Sequence, residues 1–123
     1  MKPQIAKLWC EALRSGEFKQ GTGKLRQVDE HDGKKYCCLG ILCELYSKDL
    51  EKKKKPSTNL YYKNLLLPLE VQKWAGFRVD DGICFNKYKG KDGLMYSSLS
   101  SLNDSGITFK RIANIIEKEV ENL

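Results

Sequence analysis

Apolar positions along this chain of 123 residues recur at helical spacing in five places, separated by short stretches rich in glycine and aspartate. The most apolar run is Tyr36-Cys37-Cys38-Leu39-Gly40-Ile41-Leu42-Cys43-Glu44-Leu45. Read as a helix, it places Cys38, Ile41, Leu42 and Leu45 on one face and Leu39, Cys43, Tyr46 and Leu50 on another. The spacing therefore predicts a central helix from Cys38 to Lys48 that needs cover on two sides. A buried strand is the competing reading of so apolar a run, and its length and lack of Val favour helix.

An amphipathic first helix is predicted from Ile5, Leu8, Trp9, Ala12 and Leu13, with Pro3 near its start and Gly16 just past its end. Trp9 on that stripe reads first as a core anchor and second as a stacking partner for a base. From Glu17 to Val28 the pattern turns to short extended pieces around Gly21-Thr22-Gly23. Asp32-Gly33 between Leu25–Asp29 and Lys35–Cys37 has the form of a hairpin turn leading into the central helix. Asn59 to Asn64 is polar and aromatic. Leu65-Leu66-Leu67-Pro68 then leads into a short third helix over Glu70 to Gly76, with Val71, Trp74 and Ala75 as its buried face.

Ile83-Cys84-Phe85-Asn86 is a predicted strand, and Gly90, Asp92 and Gly93 close a turn after it. Leu94, Met95, Leu99 and Leu102 predict a short helix from about Ser97, stopped by Asn103-Asp104-Ser105-Gly106. Thr108 offers an N-cap to the last helix. Its apolar stripe is Phe109, Ile112, Ala113, Ile116 and Val120, with Glu117, Lys118, Glu119 and Glu121 expected to face water. Together these elements predict a single α+β domain spanning residues 1–123, with a small antiparallel sheet packed against four or five helices.

Composition adds three constraints. A chain of this length with 41% hydrophobic and 31% charged residues suits one soluble globular domain with a core that needs no disulfide or metal. No stretch has signal-peptide character or the roughly 20 apolar residues of a membrane span, so a cytoplasmic protein without membrane contact is expected. Five cysteines, Cys10, Cys37, Cys38, Cys43 and Cys84, sit mostly among apolar neighbours with no CxxC pair. They read as buried thiols in a reducing compartment rather than as metal ligands.

The formal charge of +6 calls for an anionic partner, although Lys52-Lys53-Lys54-Lys55 supplies four of the positive charges in what reads as a solvated loop. Such a run offers nucleic acid weak, non-specific attraction. Gly21-Thr22-Gly23 with Lys24 and Arg26 reads as a plain glycine turn or as an anion nest, but Walker spacing fails because Phe18 stands five before Gly23 and Leu25 follows Lys24. His31 is the sole histidine, which leaves no Ser-His-Asp set and no HExxH; a Cys37 or Cys38 thiol with His31 is the remaining catalytic candidate. Thr108 to Glu117 has the pattern of the first helix of a helix-turn-helix, yet Leu123 ends the chain before a recognition helix.

Several segments in order carry a resemblance: Trp9-Cys10-Glu11-Ala12-Leu13-Arg14-Ser15-Gly16, Gln20-Gly21-Thr22-Gly23 with Leu25-Arg26, and Tyr36-Cys37-Cys38-Leu39-Gly40. Leu67-Pro68 with Trp74-Ala75-Gly76, and Leu102-Asn103-Asp104-Ser105-Gly106 with Thr108-Phe109, complete it. This set resembles a family of small proteins encoded by tailed phages and prophages. The resemblance implies an accessory protein that acts in the host bacterial cytosol rather than an enzyme. It suggests a sponge that sequesters a phosphate-bearing nucleotide immune signal, cyclic or ADP-ribose-like, without turnover and without cofactor. Arg14, Gln20, Lys24, Arg26, Tyr36 and Asn103 are the candidate contacts to phosphate, base and ribose. A homo-oligomer with repeated sites is expected; an accessory protein binding nucleic acid or a host protein is the alternative.

Overall fold

Residues 1–56 and 65–123 are described by the computed structural model of the chain. The stretch from Asn59 to Asn64 lies outside the described residues. Pro3 occupies the start of α1 (Pro3–Arg14), where its missing N–H removes no helical hydrogen bond. This helix buries Ile5, Ala6, Trp9, Cys10 and Leu13. Leu8, expected on the same stripe, is 47% exposed, because Ala6 and Cys10 turn the buried face away from it.

Three short strands follow, β1 (Lys19–Gln20), β2 (Arg26–Asp29) and β3 (Gly33–Tyr36). Their order is β1-β3-β2; β2 runs antiparallel to β3 through the predicted hairpin, whereas β1 joins β3 in parallel. The central helix, α2 (Cys38–Lys52), starts where predicted and runs one turn past Lys48 into the lysine run. Lys52 is thus helical, and Lys53 is held by the carboxylate of Asp49 at 2.8 Å. The amides of Lys54 and Lys55 still bond back to Glu51 and Leu50. Cys38, Leu39, Gly40, Ile41, Leu42 and Cys43 are all buried, so α2 is covered on both faces as its composition requires.

Helix α3 (Leu69–Ala75) begins after Pro68 and ends at Gly76 in the left-handed conformation. Trp74 is half-buried: its indole N–H donates to Asp49 Oδ2 at 3.1 Å and its ring packs on Tyr46. A second, two-stranded antiparallel sheet pairs β4 (Ile83–Lys89) with β5 (Met95–Ser98), and a register shift between Ile83 and Tyr88 marks a bulge. Leu94 and Met95 are exposed and belong to the turn and β5, not to a helix. The helix predicted from about Ser97 is α4 (Leu99–Asp104), which includes Asn103 and Asp104 and starts where the Ser98 hydroxyl accepts from Ser101 N.

The last helix, α5 (Phe109–Glu119), starts with the Thr108 hydroxyl accepting from Arg111 N and packs Phe109, Ile112, Ala113, Ile115 and Ile116 inward, chiefly against α1. Glu119, expected to face water, is wholly buried. Its carboxylate accepts from Phe85 N at 3.3 Å, Asn86 N at 2.8 Å and Asn122 Nδ2 at 3.0 Å. Those strand amides need an acceptor because the bulge withholds them from β5. The fold is α+β, with one apolar cluster shared by α1, α2, α4 and α5. Among the described residues no helix is long and apolar enough to cross a membrane.

Candidate functional site

Gln20 and Asn103, drawn from β1 and α4, meet with Asn103 fully buried and Gln20 half-buried. Gln20 Nε2 donates to Asn103 Oδ1 at 2.9 Å and to the Ile107 carbonyl at 2.7 Å, while its Oε1 accepts from Phe109 N at 3.1 Å. Asn103 Oδ1 also accepts from Cys38 N at 3.1 Å, and its Nδ2 donates to the Gly21 carbonyl at 2.8 Å and to Asp104 Oδ1 at 3.3 Å. Cys38 and Phe109 are the first residues of α2 and α5, neither of which receives a bond from its own N-cap at that amide. Two primary amides therefore cap two helices from outside, each using donors and acceptors together. The hydrogen-bonding capacity of Asn103 is fully engaged here.

The glycine turn is held by the same assembly. Gly21 N donates to the Tyr36 carbonyl at 2.7 Å, and Gly23 N donates to Asp104 Oδ1 at 2.9 Å. The exposed carboxylate of Asp104 thus takes the turn amide that an anionic ligand would use in a nest. One glycine outside the turn carries the arrangement: a Cβ at Gly40 would stand 1.8 Å from the Leu25 carbonyl oxygen, so α2 and the segment entering β2 touch at backbone distance. That same carbonyl accepts from Cys37 N at 3.3 Å.

Tyr36 is a core aromatic with its hydroxyl at the surface side. Its ring meets Phe18 edge-on, and its O–H donates to Glu44 Oε1 at 2.9 Å. Burial and then the Glu44 contact push the phenol up to about 12. Arg26 stands opposite Tyr36 across β2–β3 and hydrogen-bonds it. Trp9 is fully buried, donates to the Cys38 carbonyl at 2.8 Å and packs edge-on against Phe77, which makes it a core residue.

The six candidate contacts thus divide into three groups. Gln20 and Asn103 form the central frame; Lys24, exposed, and Arg26 with Tyr36 lie on or beside the glycine turn. Arg14 is elsewhere, paired with Glu117 and Asn114 of α5 on the rim of a groove between α1 and α5. Sequence reasoning passed over Asp104, Gly40 and Glu119. Asn103-Asp104 in a glycine-stopped segment was the available signal for the first; no sequence signal marked the other two.

Beside Gly23 lies a cleft of about 350 Å³, lined by Gly23, Cys37, Leu65, Leu66, Ser100 and Asp104. Its chemistry is an apolar wall, one thiol, one hydroxyl and one carboxylate. Burial raises the thiols: Cys37, Cys38 and Cys43 upward, Cys10 to about 11 and Cys84 to about 12. His31 sits in the exposed turn at the tip of the β2–β3 hairpin, while Cys37 follows the other end of β3. The length of a strand separates the two. Among the described residues no group of three or more His, Cys, Asp or Glu side chains could hold a metal ion.

Fold and site together define a small α+β protein built around an internally satisfied amide pair, with an open cleft at its glycine turn. Residues 1–120 match the family described as a domain of unknown function (DUF8296), and the chain belongs to that family. No curated protein and no solved structure matches it.

Proposed function

We propose that this protein binds a phosphate-bearing nucleotide at the glycine turn and sequesters it without turnover, as a phage-encoded antagonist of a nucleotide immune signal in the host cytosol. The observation that carries the reading is the 350 Å³ cleft beside a turn whose backbone is already fixed by Asn103, Asp104 and Tyr36. A fixed site loses little entropy on binding. Leu65 and Leu66 offer a flat apolar wall to a base, and the Asp104 carboxylate can accept from ribose hydroxyls or an exocyclic amine. Lys24 and Arg26, either side of Leu25, supply cationic donors for phosphate. Gln20 and Asn103 act here as the frame, and Arg14 as a prop between α1 and α5. Thiols held in the protonated form support binding over nucleophilic catalysis.

A second copy of the chain would close a cleft that is open in one copy, so repeated sites in a symmetric oligomer accompany the reading. Calorimetry against cyclic dinucleotides and cyclic ADP-ribose isomers, with chromatography of the recovered ligand, tests it. The expected result is saturable binding, an unchanged ligand, and a loss of about 1.5–3 kcal/mol in Arg26→Ala. Silence across the panel overturns the proposal, and a chemically altered ligand overturns sequestration.

A further inference from the structure

A second cleft, of about 320 Å³, opens beside β4 and is lined by Arg78, Val79, Ile83, Cys84, Phe85 and Asn122. Phe85 is 82% exposed, and Ile83 and Val79 beside it are also exposed. We propose that this cleft takes one nucleotide of a single-stranded nucleic acid, the base stacked on Phe85 and the phosphate at Arg78. An exposed ring next to a guanidinium is the pair of groups that sequence-tolerant strand binders use, because every base has a π-face and every nucleotide a charge.

Charge selects the occupant. Lys87 and Lys89 follow Phe85 along β4, Lys91 follows the strand, and all three are exposed and form no ion pair among the described residues. Asp80 and Asp81 precede β4 but do not line the cleft. A symmetric contact with a second copy would set these cations against themselves. A peptide adding to β4 as a strand would find the amides of Phe85 and Asn86 already bonded to Glu119. A nucleic-acid strand needs neither amide. The buried Glu119 clamp instead fixes the backbone from which Phe85 projects.

Fluorescence anisotropy with a labelled oligothymidylate about twelve nucleotides long tests the assignment at roughly 50 mM salt. Phe85→Ala is expected to weaken binding about 5- to 150-fold, the span of one lost stacking contact. Phe85→Leu keeps an apolar side chain there and should still lose most of it. Arg78→Gln and Lys87→Gln should each flatten the salt dependence by about 0.7 in log–log slope. Circular dichroism checks that each variant is folded. No binding, binding indifferent to Phe85→Leu, equal affinity for matching duplex, a free mononucleotide binding as tightly as the strand, or displacement by an acidic peptide would each overturn it.

Discussion

Asn103 and Glu119 are both completely buried and both hold backbone from distant parts of the chain, yet they do so with opposite chemistry. Asn103 sits among donors and acceptors: Cys38 N and the Gln20 amide on one side, the Gly21 carbonyl and Asp104 on the other. A neutral primary amide is the side chain that satisfies both kinds at once. Glu119 meets three N–H donors and nothing that must be donated to. A carboxylate suits that place, since charge-assisted bonds are stronger and no proton is needed. Mixed polarity selects an amide, and one-sided polarity selects an acid.

The comparison breaks most severely at Asn103→Ala. Two buried groups, Cys38 N and the Gly21 carbonyl, lose their partner, the half-buried Gln20 amide loses one of its bonds, and α2 loses its first cap. The expected destabilisation is about 3–5 kcal/mol in denaturant unfolding, since each unsatisfied buried group costs about 1–3 kcal/mol before relaxation. Asn103→Asp should recover little, because a carboxylate cannot donate to Gly21. Recovery by Asp to native stability would show that the donor half of the amide is unimportant.

Gly40→Ala attacks the same region without touching a polar group. Its methyl would enter the Leu25 carbonyl at 1.8 Å, so helix and strand segment must separate. A loss of about 3 kcal/mol is expected, at the upper end for overpacking because the obstruction is backbone rather than a movable side chain. Thermal melts of Gly40→Ala and Asn103→Ala, singly and combined, would show non-additive losses if the two share one unit.

Glu119→Gln is the milder change at the other place. The amide oxygen can replace one carboxylate oxygen, but its NH2 faces a donor from β4 or from Asn122. About 1–3 kcal/mol is expected, accompanied by faster hydrogen exchange at Phe85 and Asn86 while Cys38 N stays protected. Equal exchange at all three would mean the two places unfold together.

Helix existence was legible because the apolar spacing of α1, α2 and α5 survives without knowledge of their partners. Leu8 and Glu119 were misplaced for one reason: a helical stripe has edges, and which edge is buried depends on what packs there. Leu8 met solvent, and Glu119 met a bulge that no residue pattern in Ile83–Lys89 announced. Gln20 and Asn103 were singled out as candidate ligand contacts; that two helix N-termini converge on them is not written in the sequence, because their partners lie far along the chain. Asp104 stood in a legible turn segment, but its pairing with Gly23 did not show, since 81 residues separate the partners.

The thiols separate buried apolar matrix from surface at a smaller scale. All five cysteines are buried and free, and burial raises each of them, so little thiolate forms at neutral pH. Maleimide should react slowly with the native protein and with five thiols after denaturation. Rapid native labelling of Cys38 or Cys43 would show that α2 is not covered on both faces.

The smallest effect belongs to Arg14, which joins α1 to α5 from the surface by its contacts with Glu117 and Asn114. The Arg14 hydrogen bond holds the Glu117 carboxyl below its usual value, and Lys53 does the same to Asp49 at the end of α2. A carboxyl lowered in the folded state stabilises above its unfolded value, and that contribution disappears as pH falls through the folded value. Glu117 is exposed and Asp49 is half-buried at the surface, so water and salt screen the contribution. Arg14→Gln should therefore leave the urea midpoint at neutral pH nearly unchanged and slightly reduce its fall between about pH 5 and 3. Added salt should erase even that difference, whereas the loss at Asn103→Ala should persist in salt because its bonds to Cys38 N and the Gly21 carbonyl are buried and uncharged. A salt-resistant loss in Arg14→Gln comparable to Asn103→Ala would mean that the α1–α5 contact depends on this surface pair and not on the packing of Ile112 and Ile116 beneath it.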